Sequence, residues 1–152
     1  MNTWEEADEL MAALEQAGPE ELPGVLRDLA AAFLPEGRPF AAYVRRKFRE
    51  KGILQQNVFL AADLSENYGY KLIAEEKHTV RRDVILRLCL AGAFDEEETD
   101  TALILYGMAP LYPRLPRDAV LLRAIRRGER DVHRLNELLL SCGLPPLLTE
   151  SE

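Results

Sequence analysis

Hydrophobic residues recur along this chain at three- and four-residue spacing in stretch after stretch, a period that predicts helices from end to end. The first runs from Thr3 to Ala17, with Trp4, Ala7, Leu10, Met11 and Leu14 on one stripe. Thr3 and Glu6 have the spacing of a capping box, and Glu5, Glu6, Asp8 and Glu9 crowd the early turns, where the helix dipole favours negative charge. Gly18-Pro19 ends it. A second helix is expected from about Glu21 to Phe33, with Leu22, Val25, Leu26, Leu29 and Phe33 turned inward and Leu34-Pro35-Glu36-Gly37 as its stop. The two make an antiparallel hairpin over residues 1–37, expected to cover an apolar face of the main domain. Trp4 offers a dimer or partner contact.

A third helix opens at Arg38-Pro39 and lines up Phe40, Tyr43, Val44 and Phe48 on one face. Arg45, Arg46 and Arg49 gather on another face, flanked by Lys47 and Lys51, and Gly52 is the stop. The stretch from Ile53 to His78 then holds two short helical patterns around a tight turn. The first runs from Leu54 or Gln55 to Ala62, with Val58, Ala61 and Ala62 expected to pack closely. Asp63 occupies the turn, where a positive φ is expected and Asp tolerates it better than most residues. Ser65 is a good N-cap for the second pattern, over 66–74. Its periodicity directs Tyr68, Leu72 and Ile73 to the core and puts Glu66, Asn67, Tyr70, Lys71 and Ala74 on the opposite face.

From Val80 onward the chain repeats itself. Residues 82–112 align with 117–147: Arg82-Asp83 with Arg117-Asp118, Gly92 with Gly128, Gly107 with Gly143, each copy ending in a Pro-Leu or Pro-Pro-Leu segment. Such a repeat predicts stackable helix pairs that bury one face against a neighbour.

Charge sharpens this outline. The chain of 152 residues carries −7 overall, yet residues 1–37 hold one Arg against nine acids and residues 38–90 hold eleven Lys/Arg against six. Residues 91–112 hold five acids and no Lys or Arg. A basic middle thus lies within an acidic protein, and local charge is what bears on a nucleic-acid face. Five basic residues between Arg45 and Lys51, directly before the paired short helices, favour phosphate contact.

Other chemistry finds little footing. Cys89 and Cys142 sit in Leu-rich helical patterns and read as small buried apolar groups. His78 and His133 have no partners at metal-ligand spacing, and His133 reads as a helix-surface residue. No Gly-rich phosphate loop, nucleophile elbow or Cys-His constellation occurs, and Glu96-Glu97-Glu98 reads as the acidic first turn of a helix. The expectation is a cytoplasmic protein that is not an enzyme, with no catalytic residues, metal or cofactor and no membrane span.

Residues 38–94 resemble the Cro-type, lambda-repressor-like helix-turn-helix domain of the XRE family. The likeness rests on Lys51-Gly52-Ile53, Gln55-Gln56, Val58, Ala61-Ala62, the Leu64-Ser65 turn, Tyr68 and Ile73, then Val84 and Leu88. A longer pattern is similar to bacterial XRE-like proteins with a helical C-terminal tail: Tyr68-Gly69-Tyr70, Arg82-Asp83, Pro110-Leu111-Tyr112-Pro113-Arg114, Arg117-Asp118-Ala119, Asn136-Glu137-Leu138-Leu139 and Pro145-Pro146-Leu147.

The resemblance implies a fold: all-α, a lambda-repressor-like helix-turn-helix core over 38–94, the N-terminal helical hairpin over 1–37, and C-terminal repeated helix pairs over 95–152 packed on the core. It also implies DNA-binding transcription regulation, with double-stranded DNA as partner. Its contacts would be Gln55 and Gln56, then Glu66, Asn67, Tyr70 and Lys71, with Arg45, Arg46 and Arg49 as auxiliary phosphate contacts. Leu54 replaces the usual polar cap, Asp63 the usual turn glycine, and Glu75-Glu76-Lys77-His78 the usual basic loop. Glu66, Glu75 and Glu76 would repel phosphates. The alternative is therefore a protein-protein interaction module on a helix-turn-helix scaffold that no longer binds DNA, with a protein partner or a homodimer engaged through the N-terminal hairpin or the C-terminal helices.

Overall fold

The computed structural model describes the backbone of residues 3–33 and 39–149 and the side chains of residues 8–28 and 39–149. The expected Thr3–Glu6 capping box, the inward positions of Trp4, Ala7, Leu29 and Phe33, and the Leu34–Gly37 stop lie outside the described residues. The chain is all-α. In order come α1 (Thr3–Gln16), α2 (Leu22–Phe33), α3 (Pro39–Lys51), α4 (Gln55–Ala62), α5 (Glu66–Ile73), α6 (Arg82–Ala91), α7 (Glu96–Leu105), α8 (Pro116–Arg126) and α9 (Val132–Ser141). Proline begins α3 and α8, where its fixed φ suits the first turn and its missing N–H costs nothing. No described helix is long and apolar enough to cross a membrane.

α6 lies at the centre, packed against α4, α7 and α9, while α3 packs on α5 and α7. One continuous apolar core runs from Phe40 to Leu147 and so crosses the expected boundary between 94 and 95. Aromatic rings tie α3 into it: Phe40 meets Tyr106 edge-on at 4.7 Å, and Phe48 lies 5.7 Å from Phe94. α1 and α2 pack on each other.

Four inward assignments are corrected. On α4 it is Phe59, with Val58 and Ala62, that is buried, and Ala61 is exposed, because the inner stripe follows positions 58, 59 and 62. On α2, Leu22 and Leu26 are exposed. Cys89 is buried, and burial raises its thiol pKa well above the usual value, but Cys142 is exposed. It is the C-cap of α9, where the chain leaves the helical register.

The repeat closes on itself as a reciprocal latch. Arg82 of the first copy pairs with Asp118 of the second. Arg117 of the second copy grips Asp83 of the first with both terminal nitrogens, at 2.7 and 2.9 Å. The same two carboxylates take backbone N–H groups from the segments that end each copy, Tyr112 on Asp118 at 2.9 Å and Leu148 on Asp83 at 2.8 Å. One residue earlier, Leu111 donates to Asp100 at 3.0 Å and Leu147 to Asn136 at 2.7 Å. Every partner in one copy has its counterpart 35 or 36 residues on, so the two copies face each other about a local pseudo-two-fold axis. Matching ends support this. Gly107 and Gly143 both take positive φ after α7 and α9, letting Met108 and Leu144 return hydrogen bonds to Leu103 and Leu139 in Schellman turns.

Two half-buried carboxylates set an acid dependence. Burial opposes ionisation of Asp83, but the Arg117 hydrogen bonds, the Leu148 amide and the flanking arginine charges outweigh it and hold its pKa below normal. Glu98 follows the same balance: burial raises its pKa, and Lys51, the Asp95 amide and Lys47 together bring it below normal. A depressed folded pKa adds stability that is complete above about pH 5 and is lost as pH falls through about 4 and below. Asp100 acts with opposite sign, since burial raises its pKa and its ionised form costs stability at neutral pH. The urea midpoint is expected to fall between pH 6 and pH 3.5, and to fall less in Asp83→Asn. Equal falls in both proteins would remove Asp83 from the account.

Candidate nucleic-acid interface

The site is the exposed surface of α4, the turn at 63–65, and α5. α4 begins without a side-chain cap: Leu54 is extended, exposed, and offers no acceptor to the first amides of the helix. Gln55 is half-buried and Gln56 exposed at that open end. Open helix N-termini are sites where an anion can be received.

α4 ends at Asp63, whose φ of 60° and ψ of 44° place it in the left-handed region expected for the turn. Ser65 then caps α5, its side-chain oxygen accepting from the Tyr68 amide at 3.2 Å. Tyr68, Leu72 and Ile73 are buried as the periodicity requires. Glu66, Asn67 and Tyr70 are exposed on the other side and Lys71 is half-buried. The structure therefore brings Glu66, Asn67, Tyr70 and Lys71 onto one outer surface. Asn67 and Lys71 also interact within the chain, so an external ligand would have to exchange with those contacts. Tyr70 is held edge-on against Phe59, with ring centroids 4.9 Å apart.

Gly69 makes the close approach of α5 to α4 possible. A Cβ there would stand 2.4 Å from the Phe59 ring. In the sequence Gly69 enters only through the Tyr68-Gly69-Tyr70 match, although a glycine inside a helical pattern is a sign of close packing.

The basic helix α3 behaves differently from expectation. Lys51 bonds Glu98 of α7 at 2.8 Å, and Lys47 bridges Glu98 at 3.6 Å and Glu50 at 3.1 Å. Arg46 approaches Glu50 at 3.8 Å and lies over the Tyr43 ring. Glu98 has a second role, forming with Asp95 the capping box of α7. It belongs to the acidic first turn expected at Glu96-Glu97-Glu98, and its side chain turns toward α3. Arg49 is exposed and Arg45 half-buried, and among the described residues neither is ion-paired. So Arg45 and Arg49 fit auxiliary phosphate contacts better than Arg46 does.

Beneath the turn lies Arg87, which the sequence reading did not single out. It is 6% exposed in the middle of α6. Its guanidinium donates to the Ala62 carbonyl at the end of α4 (3.1 Å) and to the carbonyls of Leu147 (2.6 Å) and Leu148 (2.8 Å). Thr149 completes the clasp by donating its hydroxyl to the Asp63 carbonyl at 3.2 Å. The C-terminal segment thus supports the turn between α4 and α5 from below. An arginine embedded in Ile85-Leu86-Arg87-Leu88-Cys89-Leu90 was the available clue. A cation in a core register must find acceptors.

Elsewhere, His78 stacks flat on Tyr106 at 4.6 Å, while His133 is exposed on α9. The described residues contain no group of three or more His, Cys, Asp or Glu placed to hold a metal ion. No protein-family model, no curated protein and no solved structure matches this chain.

Proposed function

We propose that α3–α6, within residues 38–94, form a lambda-repressor-like helix-turn-helix core and that the chain is a bacterial DNA-binding transcription regulator, not an enzyme. The observation that carries this is the α4–turn–α5 unit. A Ser65-capped helix is anchored by Tyr68, Leu72 and Ile73 and presents Glu66, Asn67, Tyr70 and Lys71 on its outer face. Asn67 has the amide geometry that reads an adenine edge, and Lys71 can reach guanine or phosphate. Gln55, at the uncapped start of α4 with Gln56 beside it, carries the same amide group and can also read an adenine edge.

The test is selection from random duplex DNA at moderate salt. A fragment is expected to be enriched and to bind in the micromolar range or tighter, with affinity falling steeply as salt rises. Asn67→Ala is expected to weaken that binding about tenfold or more, on the scale of a single base contact. Lys71→Ala is expected to weaken it and reduce the salt slope by about one. Failure to enrich any sequence would overturn the reading.

A second reading, a protein-interaction module on the same scaffold, draws on a specific observation. Glu98 and Glu50 engage Lys47, Lys51 and Arg46, which withdraws positive charge from any phosphate ligand. Stoichiometric co-purification of one protein, with no DNA fragment bound, would favour it.

A further inference from the structure

The segment that follows α9 is held by side chains. From Pro145 to Leu148 all four backbone carbonyls accept from arginines: Arg117 takes Pro145 at 3.0 Å and Pro146 at 2.8 Å, and Arg87 takes Leu147 at 2.6 Å and Leu148 at 2.8 Å. The amides of Leu147 and Leu148 go to side chains as well, those of Asn136 and Asp83. Among the described residues no backbone–backbone hydrogen bond holds 145–149, and of these five only Leu147 is buried. A segment with one buried side chain and no backbone ladder lies at the low-stability end of a fold and opens locally.

The repeat itself does not demand this arrangement. At an offset of 35, Arg117 is the counterpart of Arg82, but the same offset pairs Arg87 with the apolar Leu122. In the first copy the matching segment, 109–113, runs between α7 and α8, and Arg82 reaches its Ala109 carbonyl at 3.5 Å. Arg87 therefore serves a junction that the other copy lacks. It joins 147–148 to the Ala62 carbonyl at 3.1 Å, while Thr149 takes the Asp63 carbonyl at 3.2 Å. Those two carbonyls belong to the peptide planes on either side of Asp63, the left-handed pivot of the α4–α5 turn. Each plane is rigid, so holding both carbonyls fixes φ and ψ at the pivot.

We propose that residues 144–149 are a releasable strap lying in a peptide-binding groove, and that seating of the strap sets the geometry of the α4–α5 turn and with it the affinity of the outer face of α5 for DNA. The groove recognises its occupant mainly by backbone. Two arginines meet four successive carbonyls, Asn136 and Asp83 meet two N–H groups, and one leucine side chain is buried. Its ligand is a Pro-Pro-Leu-Leu segment, here the chain's own. The prolines suit the groove because they cannot continue a helix and carry no N–H that needs a partner. The DNA clause rests on the function proposed above; the groove and its hold on the turn do not.

The experiment uses the full chain, ¹⁵N-labelled, as wild type, Leu147→Asp and Thr149→Val, with a peptide of residues 144–152 as the probe. Leu147→Asp puts a charge at the one buried position of 145–149 and lifts the strap. The amides of Asp63 and Leu64, bonded to Leu60 and Phe59, report the turn. Their hydrogen exchange is expected to quicken at least tenfold in Leu147→Asp, together with that of Leu148, while α3 and α7 keep their protection. The peptide, added up to millimolar, is expected to restore protection at Asp63 and Leu64 and to shift the Asn136 side-chain amide saturably. A Leu148 amide that stays protected would overturn the proposal, as would wild-type exchange at Asp63 and Leu64 once Leu148 is released, or a peptide that restores nothing. If Leu147→Asp also strips protection from α3 and α7, Thr149→Val decides. It removes one exposed hydroxyl and is expected to quicken exchange at Asp63 two- to fivefold with α3 unchanged; no change at Asp63 would overturn the proposal. Affinity for a selected DNA fragment is expected to fall at least fivefold in Leu147→Asp and to return with the peptide, and unchanged affinity with a loosened turn would overturn the strap's control of binding. If the wild type selects no DNA, the DNA reading falls, and the exchange and peptide results still support or overturn the strap.

Discussion

Replacing Arg87 with alanine is expected to cost about 4–5 kcal/mol of folding free energy, summing three charge-assisted hydrogen bonds at the low end of their usual worth. The guanidinium supplies the only described donors, in this clasp, to the carbonyls of Ala62, Leu147 and Leu148. With it gone, three acceptors from two distant parts of the chain face each other across a small apolar gap. Arg87→Lys should recover part of the loss, since one ammonium keeps the charge but cannot span three carbonyls in the planar fork. Equilibrium urea unfolding measures the cost, and hydrogen exchange localises it. Protection should fall at 63–65 and 147–149 before it falls in α3 or α7. A loss below about 1 kcal/mol would mean that water replaces the guanidinium at little cost.

That clasp explains why some of this protein was readable in its sequence and some was not. Helix positions were legible because they depend on local signals. Ser65 caps α5, Asp63 takes the positive φ of the turn, and the apolar stripe of α3 is buried as its spacing requires. The division of α5 into an inner and an outer face was legible for the same reason. The repeat was visible too, but its meaning was not. Arg82-Asp83 and Arg117-Asp118 are identical pairs in the sequence, and nothing local says that each arginine takes the other copy's aspartate. The basic run of α3 misled for a related reason. Counting Lys47 and Lys51 toward a phosphate face ignored Glu98, 47 residues further along from Lys51, whose carboxylate takes both. Local charge sums are blind to partners brought in by the fold.

The candidate reading face depends in turn on Gly69. A methyl group there would meet Phe59 Cδ1, Cγ and Cε1 at 2.4, 2.5 and 2.7 Å. The ring has little room to withdraw, being 1% exposed and held edge-on by Tyr70. Gly69→Ala is therefore expected to destabilise the protein by about 2 kcal/mol, an overpacking cost of roughly 3 offset by roughly 1 from the better helix propensity of alanine. Gly69→Val should cost more, since it adds volume and gives up that propensity gain. Phe59→Leu should rescue Gly69→Ala, because the shorter side chain clears the space. The double variant should then be more stable than the sum of the two single losses predicts, by about 1 kcal/mol or more. The alternative to a buried clash is a tilt of α5 away from α4. That tilt would carry Glu66, Asn67, Tyr70 and Lys71 with it as a set, so on the DNA reading Gly69→Ala weakens operator binding without altering any contacting atom. Urea unfolding of the four proteins in the cycle decides the first point, and wild-type stability in Gly69→Ala would refute it. Affinity of the folded variant for a selected fragment decides the second, and unchanged binding would show that α5 holds its place.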